Sequence, residues 1–102
     1  MMIIYGTGNL TRDPEQVTTN NGKTICKMCI AVNELYTNED GSRKTQFFNL
    51  VVWNKLAESC LKFLKKGSKI GIVGNPQTRT YESGDGVKKS VFEIVCNEVE
   101  FL

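Results

Sequence analysis

The sequence contains no histidine, and no apolar run approaches the length of about 20 residues that crosses a membrane. Its 11 acidic residues are scattered rather than clustered. A metal-dependent nuclease needs grouped carboxylates or histidines, so these absences argue against that class of protein. We therefore expect a protein that is not an enzyme, with no cofactor, no catalytic residue and no metal site.

Little net charge is present either, because 13 basic residues exceed the acidic ones by only two. The distribution is more informative: apart from Arg12, Lys23 and Lys27, every basic residue lies after residue 40. Many of these lie beside aromatic positions, which favours a basic groove for a polyanion, although each one alone is also typical of a solvated surface. The length of 102 residues predicts one domain, 1–102, that needs no disulfide or metal to fold.

Four cysteines are present, and Cys26 and Cys29 have the C-x-x-C spacing of some zinc and redox sites. They lie in a predicted strand, where residues three apart point to opposite sides. Cys60 and Cys96 have no second cysteine close in sequence. The pattern therefore favours buried free thiols over a metal or redox centre.

Alternating apolar residues and turn signals predict an all-β chain with one helix between the third and fourth strands. The helix is expected from Asn54, as N-cap, to Gly67, in the left-handed C-terminal position. In the last strand the apolar alternation changes parity, which predicts a β-bulge near Asn97. The order matches a five-stranded Greek-key OB barrel. The strands are predicted at residues 1–10, 23–33, 46–53, 69–74 continuing at 77–82, and 87–102.

The third strand has apolar residues on both faces. Phe47, Val51 and Trp53 share one face, and Phe48, Leu50 and Val52 share the other. One interpretation is a strand covered on both sides, by a second sheet or by an oligomer interface. The other places Phe47 and Trp53, roughly 20 Å apart, on an outer surface where unpaired bases stack.

Five short motifs stand out along the chain: Gly8-Asn9-Leu10 with Asp13-Pro14-Glu15, Ile30-Ala31-Val32-Asn33, Val51-Val52-Trp53-Asn54-Lys55-Leu56-Ala57-Glu58, Phe63-Leu64-Lys65-Lys66-Gly67-Ser68 and Gln77-Thr78-Arg79-Thr80-Tyr81. In their order and spacing the chain resembles bacterial single-stranded DNA-binding proteins over essentially its whole length.

The resemblance implies an OB-fold protein that binds and protects single-stranded DNA without sequence specificity during replication, recombination and repair. Thr80 and Glu39 depart from positions that are often basic in the family. The implied base-stacking residues are Tyr36, Phe47, Trp53 and Tyr81; Asn49 would donate or accept a hydrogen bond; Lys55, Lys66, Arg79 and Arg12 would contact phosphates.

The family also implies a homotetramer, or a homodimer of OB barrels, with single-stranded DNA as partner and no membrane. Because Met1 to Tyr5 is too short for a signal peptide, we expect a location in the bacterial cytoplasm or nucleoid, in a host-, phage- or mobile-element-encoded protein. The sequence ends at the predicted last strand, so we expect no recruitment of replication proteins through an acidic tail. The alternative is an OB-fold module for RNA binding or primosome-type assembly.

Overall fold

A computed structural model describes the backbone of residues 1–102 and all side chains except those of Leu35 and Tyr36. One element is new relative to the sequence prediction: the four-residue strand β2, which carries a single apolar residue and gives no alternation signal. The elements in chain order are β1 (Ile4–Leu10), β2 (Glu15–Thr18), β3 (Thr24–Thr37), β4 (Arg43–Trp53), α1 (Asn54–Phe63), β5 (Lys69–Glu82) and β6 (Lys88–Phe101).

The strands form a closed barrel. Their order is β1-β5-β6-β4-β3, and β1 pairs again with β3, which joins the two ends of the sheet. The β4–β6 pair is parallel and the other pairs are antiparallel, while β2 extends the edge of β3. Helix α1 lies between the third and fourth barrel strands. The predicted all-β OB barrel is confirmed.

The core is built from alternate residues of the barrel strands. Met28, Leu50, Ile70 and Ile72 are at most 1% exposed and belong to one apolar cluster. Fully burying such a side chain contributes about 1.5–3 kcal/mol to folding. Ala57 and Cys60 of α1 join this cluster, so the helix closes one end of the barrel.

The helix ends earlier than predicted. Its last residue is Phe63, and Leu64 has an extended backbone with φ −101° and ψ 152°. Asn54 is not the N-cap: Trp53 is, without a side-chain cap hydrogen bond, and Asn54 itself has φ 59°. Gly67 is left-handed as expected, with φ 90°, but it lies in the turn before β5, where its N–H donates to the Leu10 carbonyl at 2.8 Å. Within the described chain, the ten-residue α1 is too short to cross a bilayer.

The bulge predicted near Asn97 is confirmed. Val73 lies opposite Glu98 and Gly74 opposite Cys96, which leaves Asn97 as the extra residue of β6. The strands approach closely here, since a Cβ on Gly74 would clash with the Val95 carbonyl oxygen. The bulge allows β6 to bury Cys96 before it and half-bury Val99 after it.

The four cysteines are free and buried, as predicted. Cys26 and Cys29 lie on opposite faces of β3, because Cys26 is paired with core residue Val52 and Cys29 with exposed Asn49. Burial raises the pKa of Cys26 to about 11, and burial together with neighbouring thiols raises the pKa values of Cys60 and Cys96 to about 12. These thiols are therefore protonated at neutral pH.

Candidate nucleic-acid interface

The outer face of β4 presents two exposed aromatic rings. Phe47 is 65% exposed and Trp53 is 40% exposed, and Asn49 is exposed between them. Val51 on the same face is only 8% exposed, next to its cross-strand neighbour Lys27. Val51 is thus buried on the outer side of β4, whereas Phe47 and Trp53 point into solvent.

Strand pairing places residues of β5 on the same outer surface. Asn49 is opposite Glu93 of β6, and Glu93 is opposite Gln77 of β5. Since side chains alternate along a strand, Arg79 and Tyr81 point to the same side as Gln77. Tyr81 is 47% exposed. With neighbouring strands about 4.8 Å apart, β4 and β5 stand roughly 10 Å from each other across β6.

Five of the nine predicted site residues therefore share one surface of the barrel. We call it the aromatic face, and it consists of Phe47, Asn49, Trp53, Arg79 and Tyr81. Tyr36 is the remaining predicted aromatic, and its side chain lies outside the described residues. Three exposed rings on strands that are two spacings apart can each accept a flat apolar partner.

An ion pair lies within the aromatic face. The Arg79 Nε atom is 3.1 Å from Glu93 Oε1, and the exposed fractions of the two side chains are 61% and 15%. The pair depends on the β5–β6 register, which sequence alone does not provide. A carboxylate held at this position repels phosphate and occupies one of the five N–H donors of the guanidinium.

The other predicted cations lie around the aromatic face rather than on it. Lys55 is exposed in the first turn of α1, close in sequence to Trp53. Arg12 and Lys66 are exposed in two segments that meet, because the Lys66 N–H donates to Asp13 Oδ1 at 2.8 Å. These segments run along the edge of β3 that faces away from β4, where Thr11 N–H donates to the Cys29 carbonyl.

Two lysines outside the nine predicted site residues lie beside the aromatic face. Lys89 is directly opposite Tyr81, and Lys27 is directly opposite Val51 on the aromatic-face side of β3. Alternation along β3 was a usable signal for Lys27, since it has the same parity as Ala31, the partner of Phe47. The position of Lys89 opposite Tyr81 follows only from the register of the β5–β6 hairpin.

The tip of the β3–β4 hairpin is acidic. Hydrogen bonds from the Ser42 hydroxyl and then its backbone N–H lower the pKa of Asp40 below its ordinary value. Asp40 therefore stays ionised at neutral pH beside Glu39, which repels phosphate from this tip.

Comparison with known proteins gives a match along almost the whole chain. The model of the single-strand binding protein family matches residues 2–102. The chain belongs to this family.

Curated relatives of the family agree with this assignment. The chain is 45% identical over 95 residues to single-stranded DNA-binding protein 2 of Listeria monocytogenes, covering 93% of this chain and 59% of that protein. It is 43% identical over 95 residues to single-stranded DNA-binding protein 1 of Staphylococcus aureus, covering 93% of this chain and 61% of that protein. The corresponding values for the single-stranded DNA-binding protein of Halalkalibacterium halodurans are 43%, 93% and 56%. The chain thus spans about three fifths of the length of these relatives.

Proposed function

We propose that this chain binds single-stranded DNA without sequence preference and protects it during replication, recombination and repair. The observation that carries the proposal is the exposure of Phe47, Trp53 and Tyr81 on a single face of the barrel. Apolar rings of this size are costly to leave in water, and every base has a flat surface that can cover one.

Stacking supplies the affinity in this proposal, and it explains the absence of sequence preference. Each base stacked on an aromatic side chain contributes about 1–3 kcal/mol, largely independent of which base it is. Asn49, between Phe47 and Trp53, adds a hydrogen bond to bases or sugars. No bond is made or broken, so the proposed mechanism needs no catalytic residue and no cofactor.

Cations around the aromatic face supply the salt-dependent part of the affinity. Lys55 lies two residues after Trp53, and Lys89 lies opposite Tyr81, which supports a role for both in neutralising phosphates beside stacked bases. Lys66 and Arg12 extend the cationic surface around the edge of β3. Binding should weaken as salt rises, with a logarithmic slope of roughly 0.7 per phosphate neutralised.

The chain is further proposed to assemble as a homotetramer or as a homodimer of barrels. Ile3, just before β1, and Tyr5, within it, are 59% and 67% exposed. Tyr5 also lines an apolar cavity of about 220 Å³ to which all five barrel strands contribute, with Ile4, Val32 and Phe48 among the lining residues. An apolar surface of this kind favours contact with another copy. Light scattering of the purified chain measures the assembly, and a mass equal to one chain would contradict it.

The place of action is proposed to be the bacterial cytoplasm or nucleoid, where single-stranded DNA arises.

The binding proposal is tested by fluorescence anisotropy with three labelled ligands of one mixed sequence: the single DNA strand, the same strand in a duplex, and the corresponding RNA strand. We expect the single DNA strand to bind most tightly. Equal affinity for the duplex would refute the proposal, and a preference for RNA would assign the chain to an RNA-binding class.

A further inference from the structure

A polar pocket lies on the outer surface of the barrel where β1 meets β3. Strands β1 and β3 are paired at Asn9–Ala31 and Leu10–Ile30 and stay close at Gly8, and in the described structure no pairing continues from there towards the start of β1. A cavity of about 310 Å³ lies over this region, and its lining includes Thr7, Asn33, Arg43 of β4 and Lys69 of β5. The cavity combines two positive charges with uncharged polar groups.

Neither cation is neutralised by the protein. Across the described side chains, the ion pair that the structure contains joins Arg79 to Glu93, so no carboxylate is within salt-bridge distance of Arg43 or Lys69. The acidic residue nearest to Lys69 by strand register is Glu100, opposite Gly71. A Cβ on Gly71 would lie 3.7 Å from Glu100 Oε2 and 3.6 Å from Thr7 Cγ2, so this carboxylate borders the pocket without pairing with either cation. Two exposed, unpaired cations that line one concave pocket form a positive site for an anion.

Backbone donors also point into the pocket. In an antiparallel pair, the backbone groups of alternate residues point to the same neighbouring strand. The Thr11 N–H donates to the Cys29 carbonyl at 2.9 Å, so the N–H of Thr7 points towards β3 and the N–H of Asn33 points towards β1. The paired register ends at Asn9–Ala31, so in the described structure Thr7 and Asn33 are not a strand pair.

The pocket continues directly from the aromatic face. Lys69 is opposite Asn9, Asn9 is opposite Ala31, and Ala31 is opposite Phe47, so a single row crosses four strands of the barrel. At about 4.8 Å between strands, the pocket lies roughly 10 Å from the Phe47 backbone. Ala31 has a small side chain, which leaves the path between Phe47 and the pocket open.

We propose that this pocket binds a phosphodiester group of the same single strand, adjacent to the base that stacks on Phe47. The inference rests on the proposed function for the identity of the ligand. Arg43 and Lys69 neutralise the phosphate, and the N–H groups of Thr7 and Asn33 donate to its oxygens. The strand would then pass from the aromatic face over β3 towards β1 and β5.

The anion site is tested first without DNA. Inorganic phosphate is titrated into the wild-type protein at constant ionic strength, with chloride as reference, and the amide resonances of Thr7 and Asn33 are followed by NMR. We expect both to shift and to saturate, and to stop responding in the Arg43→Ala/Lys69→Ala variant. Amides that do not respond to phosphate in the wild type would overturn the site.

The ligand is tested with oligothymidine by measuring Kd over a range of salt concentrations. Arg43→Ala, Lys69→Ala and the double variant are each expected to lower the salt slope by about 0.7, because both cations serve one phosphate. Lys62→Ala is the matched control: it removes one exposed positive charge from the last turn of α1 and should leave the slope unchanged. An equal decrease of the salt slope in Lys62→Ala would show that the slope depends on net charge alone and would overturn the inference.

The two proposals fail in different ways. If the wild type does not bind oligothymidine, the proposed function is wrong, while the phosphate titration still reports on the pocket. If the wild type binds but the Arg43 and Lys69 variants match it in Kd and slope, only the proposed phosphate site is wrong.

A strand edge of a second copy could instead occupy this site. Thr7 and Asn33 amides protected from hydrogen exchange in the free protein, together with a smaller assembly for the double variant, would establish that occupant and overturn the inference.

Discussion

Phe47→Ala compared with Phe63→Ala separates stacking from general loss of an aromatic surface. The two side chains are the same and are almost equally exposed, at 65% and 63%. Phe47 stands on the aromatic face, whereas Phe63 ends α1 and packs against Phe101 with ring centroids 6.2 Å apart. If exposed apolar area alone attracted DNA, both substitutions would weaken binding to a similar extent.

The expected size of the effect follows from one lost base contact. A stacked base contributes about 1–3 kcal/mol, which corresponds to a Kd for oligothymidine that is about 5- to 150-fold higher in Phe47→Ala. The salt slope should not change, because a ring neutralises no phosphate. For Phe63→Ala we expect an unchanged Kd and an unchanged slope.

The assay is fluorescence anisotropy of labelled oligothymidine at several salt concentrations, with thermal unfolding of each variant to show that it is folded. The reasoning is refuted if Phe63→Ala weakens binding as much as Phe47→Ala. It is also refuted if folded Phe47→Ala binds as tightly as the wild type.

Three other predictions follow from the ion pair, the thiols and the close approach of two strands. Glu93→Gln should release Arg79 for phosphate, which lowers the Kd for oligothymidine by up to about fivefold and steepens the salt slope by about 0.7. Weaker binding of the variant would contradict this and would indicate that Glu93 positions Arg79. Burial raises the pKa of Cys60 from 9.0 to about 12, so the thiol ionises first in the unfolded chain. The free energy of unfolding in urea should therefore be level below pH 9 and fall towards pH 12. In Cys60→Ala this free energy should fall less steeply, and parallel curves for variant and wild type would contradict this cause. A Cβ on Gly8 would lie 2.6 Å from a backbone oxygen of β3, whereas Gly6 has open space, so Gly8→Ala should lose about 1–3 kcal/mol in thermal unfolding and Gly6→Ala should not; equal losses would argue against the close approach of β1 to β3 at Gly8.

The fold was largely predictable because its signals are local. The shift of apolar parity at Asn97 could be read directly, since a core-facing set that changes from even to odd positions requires one extra residue. The end of the helix could not be predicted from the sequence. Leu64 continues the apolar spacing of α1 and is buried, so its pattern is that of a helix, yet its backbone is extended. Gly67 takes its left-handed conformation to reach the Leu10 carbonyl, a contact distant in sequence.

The candidate site was predictable one strand at a time. Alternation along β4 was enough to place Phe47 and Trp53 on one side, and motif resemblance selected Tyr81. Whether Tyr81 shares that side depends on the pairing of β4 with β6 and of β6 with β5, which no single strand encodes. The same limit hid Glu93 beside Arg79. Contacts between strands far apart in sequence are set by register, and register appears only in the folded barrel.

The central claim is that bases stack on exposed rings of the aromatic face, and the fluorescence of Trp53 tests it most directly. The chain has one tryptophan, which is 40% exposed on this face, so any change in indole emission reports on that position. Titration with oligothymidine at low salt should quench the emission in a saturable way and to the same extent with oligodeoxycytidine. Emission that stays constant while anisotropy shows the DNA to be bound would contradict the claim.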